Sequence, residues 1–190
     1  MGTMFLQVVD ASIVLADLRN FSPLAAQLGP VELGLALSRF YEHAGAAVEK
    51  HHGRIVKFIG DGVLSVFVGP HAENRVRALQ TIAELVRTRQ AFLDENIKSK
   101  LPVLDYSLGA ASGTVLAGEL GTEKLRFYDV LGQPVNHAFR LTALAARRDV
   151  TNLVDSSTLD GVAAGERPPA IETDAVELDS QKLRLFKIQA

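Results

Sequence analysis

The sequence predicts an α+β domain in which helices pack on a mostly antiparallel sheet. Three observations point there. The elements run in the order strand, helix, hairpin, helix, strands, which suits helices layered on such a sheet. Residues 54–68 form a clear hairpin pattern, with two apolar runs joined by Gly60-Asp61-Gly62. Among the 190 residues, 47% are hydrophobic and 22% charged, with no long polar tract that would have to stay disordered. The chain reads as one domain, residues 1–190, with residues 1–10 as a leading linker.

Residues 11–17 (ASIVLAD) are apolar, rich in β-branched side chains and closed by a charge, so they read as a buried first strand. Ser22-Pro23 has the form of a helix cap followed by proline at the first helical position. From Pro30 to His52, Leu33, Leu37, Phe40, Ala44, Ala47 and Val48 recur at helical spacing, and Gly53 is expected to end that helix. The hairpin pairs Arg54–Ile59 with Val63–Val68. A long helix is expected over His71–Ile97, its buried side carrying Val76, Leu79, Ile82, Ala83, Val86 and Phe92. Strands follow at Asp105–Ala111, Thr114–Ala117 and Leu125–Val130. Gly132–Arg147 is alanine-rich and helical, Thr151–Val154 is a short strand, and Arg167-Pro168-Pro169 marks a loop. Two more strands are expected at Ala175–Leu178 and Leu183–Ile188.

A formal net charge of −2 carries no footprint for a nucleic-acid polymer. With no cysteine, neither a disulfide framework nor a thiolate metal site can form, and a reducing cytoplasm is the natural setting. The apolar runs break well before the ~20 residues needed to cross a bilayer, so no membrane contact is expected from this segment. The five histidines show no metal-ligand spacing, and no Ser-His-Asp set or Walker-type glycine loop is present.

Asp17 closes an apolar strand, where a carboxylate is costly to bury unless it is paired or ligates a cation. Taken alone, it also fits a capping or exposed aspartate. Asp61 sits in a turn whose Asp-Gly dipeptide is common for conformational reasons alone. Together, at the ends of neighbouring strands, the two could hold Mg²⁺, which takes oxygen ligands and shares its shell with phosphates. Residues 18–23 (LRNFSP) lead from the strand end into a helix start, where free N–H groups favour a phosphate. Asn136 and Arg140, four apart on a helix, share a face.

Residues 13–22 (IVLADLRNFS), 57–67 (KFIGDGVLSVF) and 128–140 (YDVLGQPVNHAFR) resemble, in family order, the three signature blocks of class III adenylate and guanylate cyclase catalytic domains. Residues 113–121 (GTVLAGELG) keep similar spacing, so the resemblance runs from about residue 11 to 160. It implies a ferredoxin-like βαββαβ core with C-terminal strand additions, and a head-to-tail homodimer with two sites between subunits. By that resemblance Asp17, Leu18 and Asp61 hold two Mg²⁺ or Mn²⁺ ions per site. Asn20, Phe21, Ser22 and Lys124 contact the substrate, Asn136 orients the ribose, and Arg140 meets the α-phosphate. Lys57 and Asp129 resemble the adenine-reading set: lysine can donate to N1 and aspartate can accept from the 6-amino group. The expected activity is conversion of ATP to 3′,5′-cyclic AMP and pyrophosphate, with attached regulatory domains as further partners.

The family's lysine near the C-terminal strands has no counterpart in step within residues 176–184 (VELDSQKLR), where Lys182 is the candidate and Lys124 and Arg126 are alternatives. Two other readings stay open on the sequence: guanylate specificity, and a non-catalytic cyclase-homology domain that binds nucleotide and signals.

Overall fold

The computed structural model describes residues 6–190, and residues 1–5 of the expected linker lie outside them. Eight strands form one sheet: β1 (Leu6–Leu18), β2 (Arg54–Ile59), β3 (Gly62–Val68), β4 (Tyr106–Gly121), β5 (Arg126–Leu131), β6 (Asn152–Asp155), β7 (Ala170–Leu178) and β8 (Gln181–Ile188). Four helices flank it: α1 (Phe21–Ala25), α2 (Pro30–Lys50), α3 (His71–Lys98) and α4 (Gln133–Arg147). The sheet order is β2-β3-β1-β4-β6-β8-β7, with β5 paired to β4. All pairings are antiparallel except β4 with β6. The order β2-β3-β1-β4 around α2 and α3 is the expected βαββαβ core, and β5 to β8 are the additions.

β1 is central and apolar on both faces, which is why its sequence reads as a run rather than an alternation. Val14, Ala16 and Leu18 pack with Phe40, Ala44, Leu79, Ile82 and Leu85 in the core beneath α2 and α3. Ala11, Ile13 and Leu15 point the other way, with Leu64, Val66, Val115, Val130 and Ala138 beneath α4 and β5. A third cluster, Leu141, Ala145, Leu153 and Leu185, seats α4 on the C-terminal strands.

Four expectations are corrected. β1 starts at Leu6, so residues 6–10 belong to the sheet and not to a linker: Leu6 to Asp10 pair with Gly118 to Thr114. The strands expected at 105–111 and 114–117 are one strand, since β1 pairs with β4 without a break from Leu6 to Leu18. The residue at the N-cap position of the helix after β1 is not Ser22 but Asn20, whose φ of 52° is left-handed and whose side chain makes no capping hydrogen bond, and α1 spans only five residues. At the end of α2 the left-handed residue is His52, φ 56°, and not Gly53. Gly53 donates its N–H to the Val48 carbonyl at 2.8 Å, and any Cβ there would overlap the Phe67 ring. No helix among the described residues is long and apolar enough to cross a membrane.

Candidate functional site

The β2–β3 hairpin lies beside β1 so that Asp17 pairs with Gly62 across the ladder. This register brings Asp61, in the turn, next to the end of β1, where Leu18 donates its N–H to the Asp61 carbonyl at 3.4 Å. A Cβ on Gly62 would come 2.9 Å from the Asp17 carboxylate, so only glycine leaves that oxygen room. Tyr41 on α2 supports the turn from outside: its hydroxyl donates to the Gly60 carbonyl, and its ring stacks on Phe58 with centroids 4.3 Å apart.

Neither Asp17 nor Asp61 has an ion-pair partner among the described residues. Half-burial and the nearby Asp61 charge push the Asp17 carboxyl up to about 6. Burial also raises Asp61 above the usual carboxylate range. Two desolvated carboxylates side by side, with no cation from the chain, make a donor set that a hard divalent ion fits. No group of three or more His, Cys, Asp or Glu that could by itself hold a metal ion gathers among the described residues. Mg²⁺ binds through one or two carboxylates and completes its shell with water and substrate phosphates.

Arg19, next in sequence, turns away from this pair. Its Nε donates to Ser107 Oγ at 2.7 Å and its Nη1 to Asp149 at 2.8 Å, while its backbone N–H reaches the Asp105 carbonyl at 2.7 Å. The segment from Leu18 to Ser22 is thereby anchored, with Asn20 and Ser22 exposed and Phe21 partly buried at the start of α1.

Lys57 on β2 and Asp129 on β5 meet across the sheet edge at 2.7 Å. Nearby, Arg54 lies over the Tyr128 ring, 3.5 Å from its centroid, and ties the same two strands. Asn136, Phe139 and Arg140 occupy one exposed face of α4. Among the described residues, no hydrogen bond or ion pair links Asp17 and Asp61 to Lys57, Asp129, Asn136 or Arg140. Lys124 is exposed in the β4–β5 turn, and Lys182 on β8 stands opposite Glu177, also exposed.

Three contributors escaped the sequence reading. Tyr41 reads as one more helix residue, Arg19 as a loop charge, and Asp179, which grips Arg140 at 2.7 Å, as a turn former. Nothing local marks the first two. For Asp179, the signal was an acid where the C-terminal strands were searched for a base.

A family model for the adenylate and guanylate cyclase catalytic domain matches residues 6–162. Among curated relatives, the uncharacterized protein Rv1319c of Mycobacterium tuberculosis is 30% identical over 157 residues, which is 83% of this chain and 28% of that protein. The chain thus spans under a third of the length of such relatives. Among solved structures, the adenylyl cyclase CyaB from P. aeruginosa superposes with a TM-score of 0.86 at 18% identity, covering 97% of this chain and 96% of that one. The guanylyl cyclase Cya2 gives 0.84 at 22% identity, covering 97% and 93%. Both likenesses are of fold.

Proposed function

This chain belongs to the adenylate and guanylate cyclase catalytic-domain family, and on that premise we propose that it converts ATP to 3′,5′-cyclic AMP and pyrophosphate at sites completed by a second copy. The observation that carries the reading is the unpaired carboxylate couple Asp17 and Asp61, which the chain desolvates and leaves without a cation. With the Leu18 carbonyl, these two would hold two Mg²⁺ or Mn²⁺ ions. Divalent ions so bound ease loss of the proton from the ribose 3′-hydroxyl and neutralise charge on the triphosphate.

The chain's own side chains do the rest. The 3′-oxygen attacks the α-phosphorus, the bond to the bridging β-oxygen breaks, and pyrophosphate leaves. Arg140 offers planar N–H donors to the α-phosphoryl oxygens as their charge grows. Asn136, one turn earlier on α4, holds the ribose in line for attack. Asn20, Phe21, Ser22 and Lys124 contact the phosphates. Fold neighbours include both adenylyl and guanylyl cyclases, so the choice of purine rests on Lys57 and Asp129. Their 2.7 Å contact pre-positions a donor beside an acceptor, the sense that adenine presents at N1 and its 6-amino group and that guanine reverses.

A second copy is supported by what the sites leave exposed. Phe127 and Leu131 share the strand face of Asp129, and Phe139 adjoins Arg140 on α4; all three are exposed apolar side chains. An isologous pairing of two copies through this face would bring the aspartates of one to Lys57, Asp129, Asn136 and Arg140 of the other.

Turnover of ATP and GTP side by side with Mn²⁺ tests the reading. Cyclic AMP formed at least roughly tenfold faster than cyclic GMP is expected, about 1.4 kcal/mol of discrimination. A GTP preference overturns the role of Lys57 and Asp129. Nucleotide binding without turnover in a proven dimer replaces the enzyme with a signalling module.

A further inference from the structure

The β7–β8 hairpin closes through Asp179 and Ser180, with φ of 49° and 62°, the paired left-handed geometry of a two-residue turn, which aspartate tolerates. This turn folds onto α4. There the Asp179 carboxylate meets two side chains one helical turn apart. Its Oδ1 accepts from Arg140 Nη1 at 2.7 Å, and its Oδ2 lies 3.4 Å from His137 Nε2.

His137 is buried, and its Nε2 has no hydrogen-bond partner among the described residues. The 3.4 Å approach is too poorly aligned to count as a hydrogen bond, but it leaves Asp179 as what that nitrogen faces. Behind the ring, Nδ1 is 4.0 Å from the buried Asp155 carboxylate, itself fixed by Ser157 Oγ at 2.6 Å and Thr158 Oγ1 at 3.0 Å. Asp179 is therefore the surface end of a row, Asp155, His137, Asp179 and Arg140, whose inner members His137 and Asp155 are buried.

Two carboxylates elsewhere in the molecule fill the Nε and Nη2 fork of an arginine. Asp105 takes both Nε and Nη2 of Arg89, and Glu172 takes both Nε and Nη2 of Arg184. Asp179 takes only Nη1 of Arg140, so the Nε and Nη2 edge stays open among the described residues. Two parallel donors on that edge match two oxygens of one phosphoryl group. The other tether between this hairpin and α4, Arg148 Nη1 to Asp174 at 2.7 Å, sits at the far end of the helix from Asn136.

We propose that Asp179 is a positioning residue for cyclisation: it holds Arg140 by one nitrogen and so presents the free edge of the guanidinium to the α-phosphoryl group. The proposal rests on the part given above to Arg140. A half-exposed arginine samples many rotamers, and a carboxylate that fixes it without filling its fork removes that freedom before substrate arrives.

The test is steady-state kinetics with ATP and Mn²⁺ on the 190-residue protein, comparing Asp179→Asn, Asp179→Glu and Asp174→Asn, with Asp179→Asn also placed in an Arg140→Ala background. We expect Asp179→Asn to lower kcat roughly ten- to hundredfold while KM stays within about twofold. Asp179→Glu should recover part of the loss, Asp174→Asn should leave kcat unchanged, and Asp179→Asn should add nothing once Arg140 is alanine. Wild-type kcat in Asp179→Asn, or an equal further loss in the Arg140→Ala background, overturns the positioning role and leaves the cyclase reading standing. No turnover by the wild-type protein overturns the cyclase reading, and the positioning role falls with it.

Discussion

β1 carries two aspartates, Asp10 in its first half and Asp17 near its C-terminal end, and the chain treats them in opposite ways. At Asp10, burial alone would raise the carboxyl, but hydrogen bonds from Arg75 and Asn74, and the Arg75 charge, outweigh it and hold the group below its usual range. Arg75 Nη1 reaches Asp10 at 2.6 Å and Asn74 Nδ2 reaches it at 3.1 Å. At Asp17, seven residues on, burial acts with no base to oppose it, and the neighbouring charge is Asp61, another acid. Structural carboxylates are satisfied within the fold. A pair left desolvated and unmatched is destabilising by itself, and it persists where something outside the chain completes it.

Substitutions around the two aspartates should therefore separate stability from activity, and the largest effect is on turnover. Asp17→Asn is expected to bring cyclic nucleotide formation below detection in a coupled pyrophosphate assay, whereas Arg75→Met should leave the KM for ATP unchanged. Next is the stability cost of Arg75→Met. It removes one partner of a largely buried ion pair and should destabilise the fold by roughly 3 kcal/mol, read from the urea midpoint.

The smallest effect has the opposite sign. The folded protein binds a proton on Asp17 up to about pH 6, while the unfolded chain releases it near 3.8. Across that window the native state holds more protons, so wild-type stability falls as pH rises. Above it, metal-free Asp17→Asn should be more stable than wild type by roughly 1–2 kcal/mol, a figure reduced from the full shift because the site is partly open to solvent. Thermal melts at pH 7.5 and pH 4 should show this gain and then its loss. Adding Mn²⁺ should raise the melting temperature of wild type and not of the variant. If Asp17→Asn melts no higher than wild type at pH 7.5, the carboxylates are not strained in the way described.

The 54–68 hairpin was legible nearly to the residue, because alternation, β-branching and an Asp-Gly turn all agreed there. Helices α2 and α3 were legible from apolar spacing to within two residues of each end. Early entry of β1 at Leu6 and the continuity of β4 were not, since both come from a partner strand: thirteen residues of β1 hold β4 in register through Ser112 and Gly113, a place where local signals suggest a break. For the site, Asp17, Asp61, Lys57, Asp129, Asn136 and Arg140 were all named from motif resemblance. The register that seats Asp17 opposite Gly62 and the ion pair of Lys57 with Asp129 could be seen only in three dimensions. Asp179 and Tyr41 act through contacts 39 and 19 residues away in the chain, and no local pattern carries such distances.

The central claim is that the unmatched aspartates of one copy work with Arg140 of another. Mixing Asp17→Asn protein with Arg140→Ala protein, each far below wild type alone, tests it directly. Random pairing makes half of the dimers mixed, and each of these has one intact site of two, so activity should recover to about a quarter of wild type. No recovery, with subunit exchange verified by labelled chains, would contradict a site shared between copies.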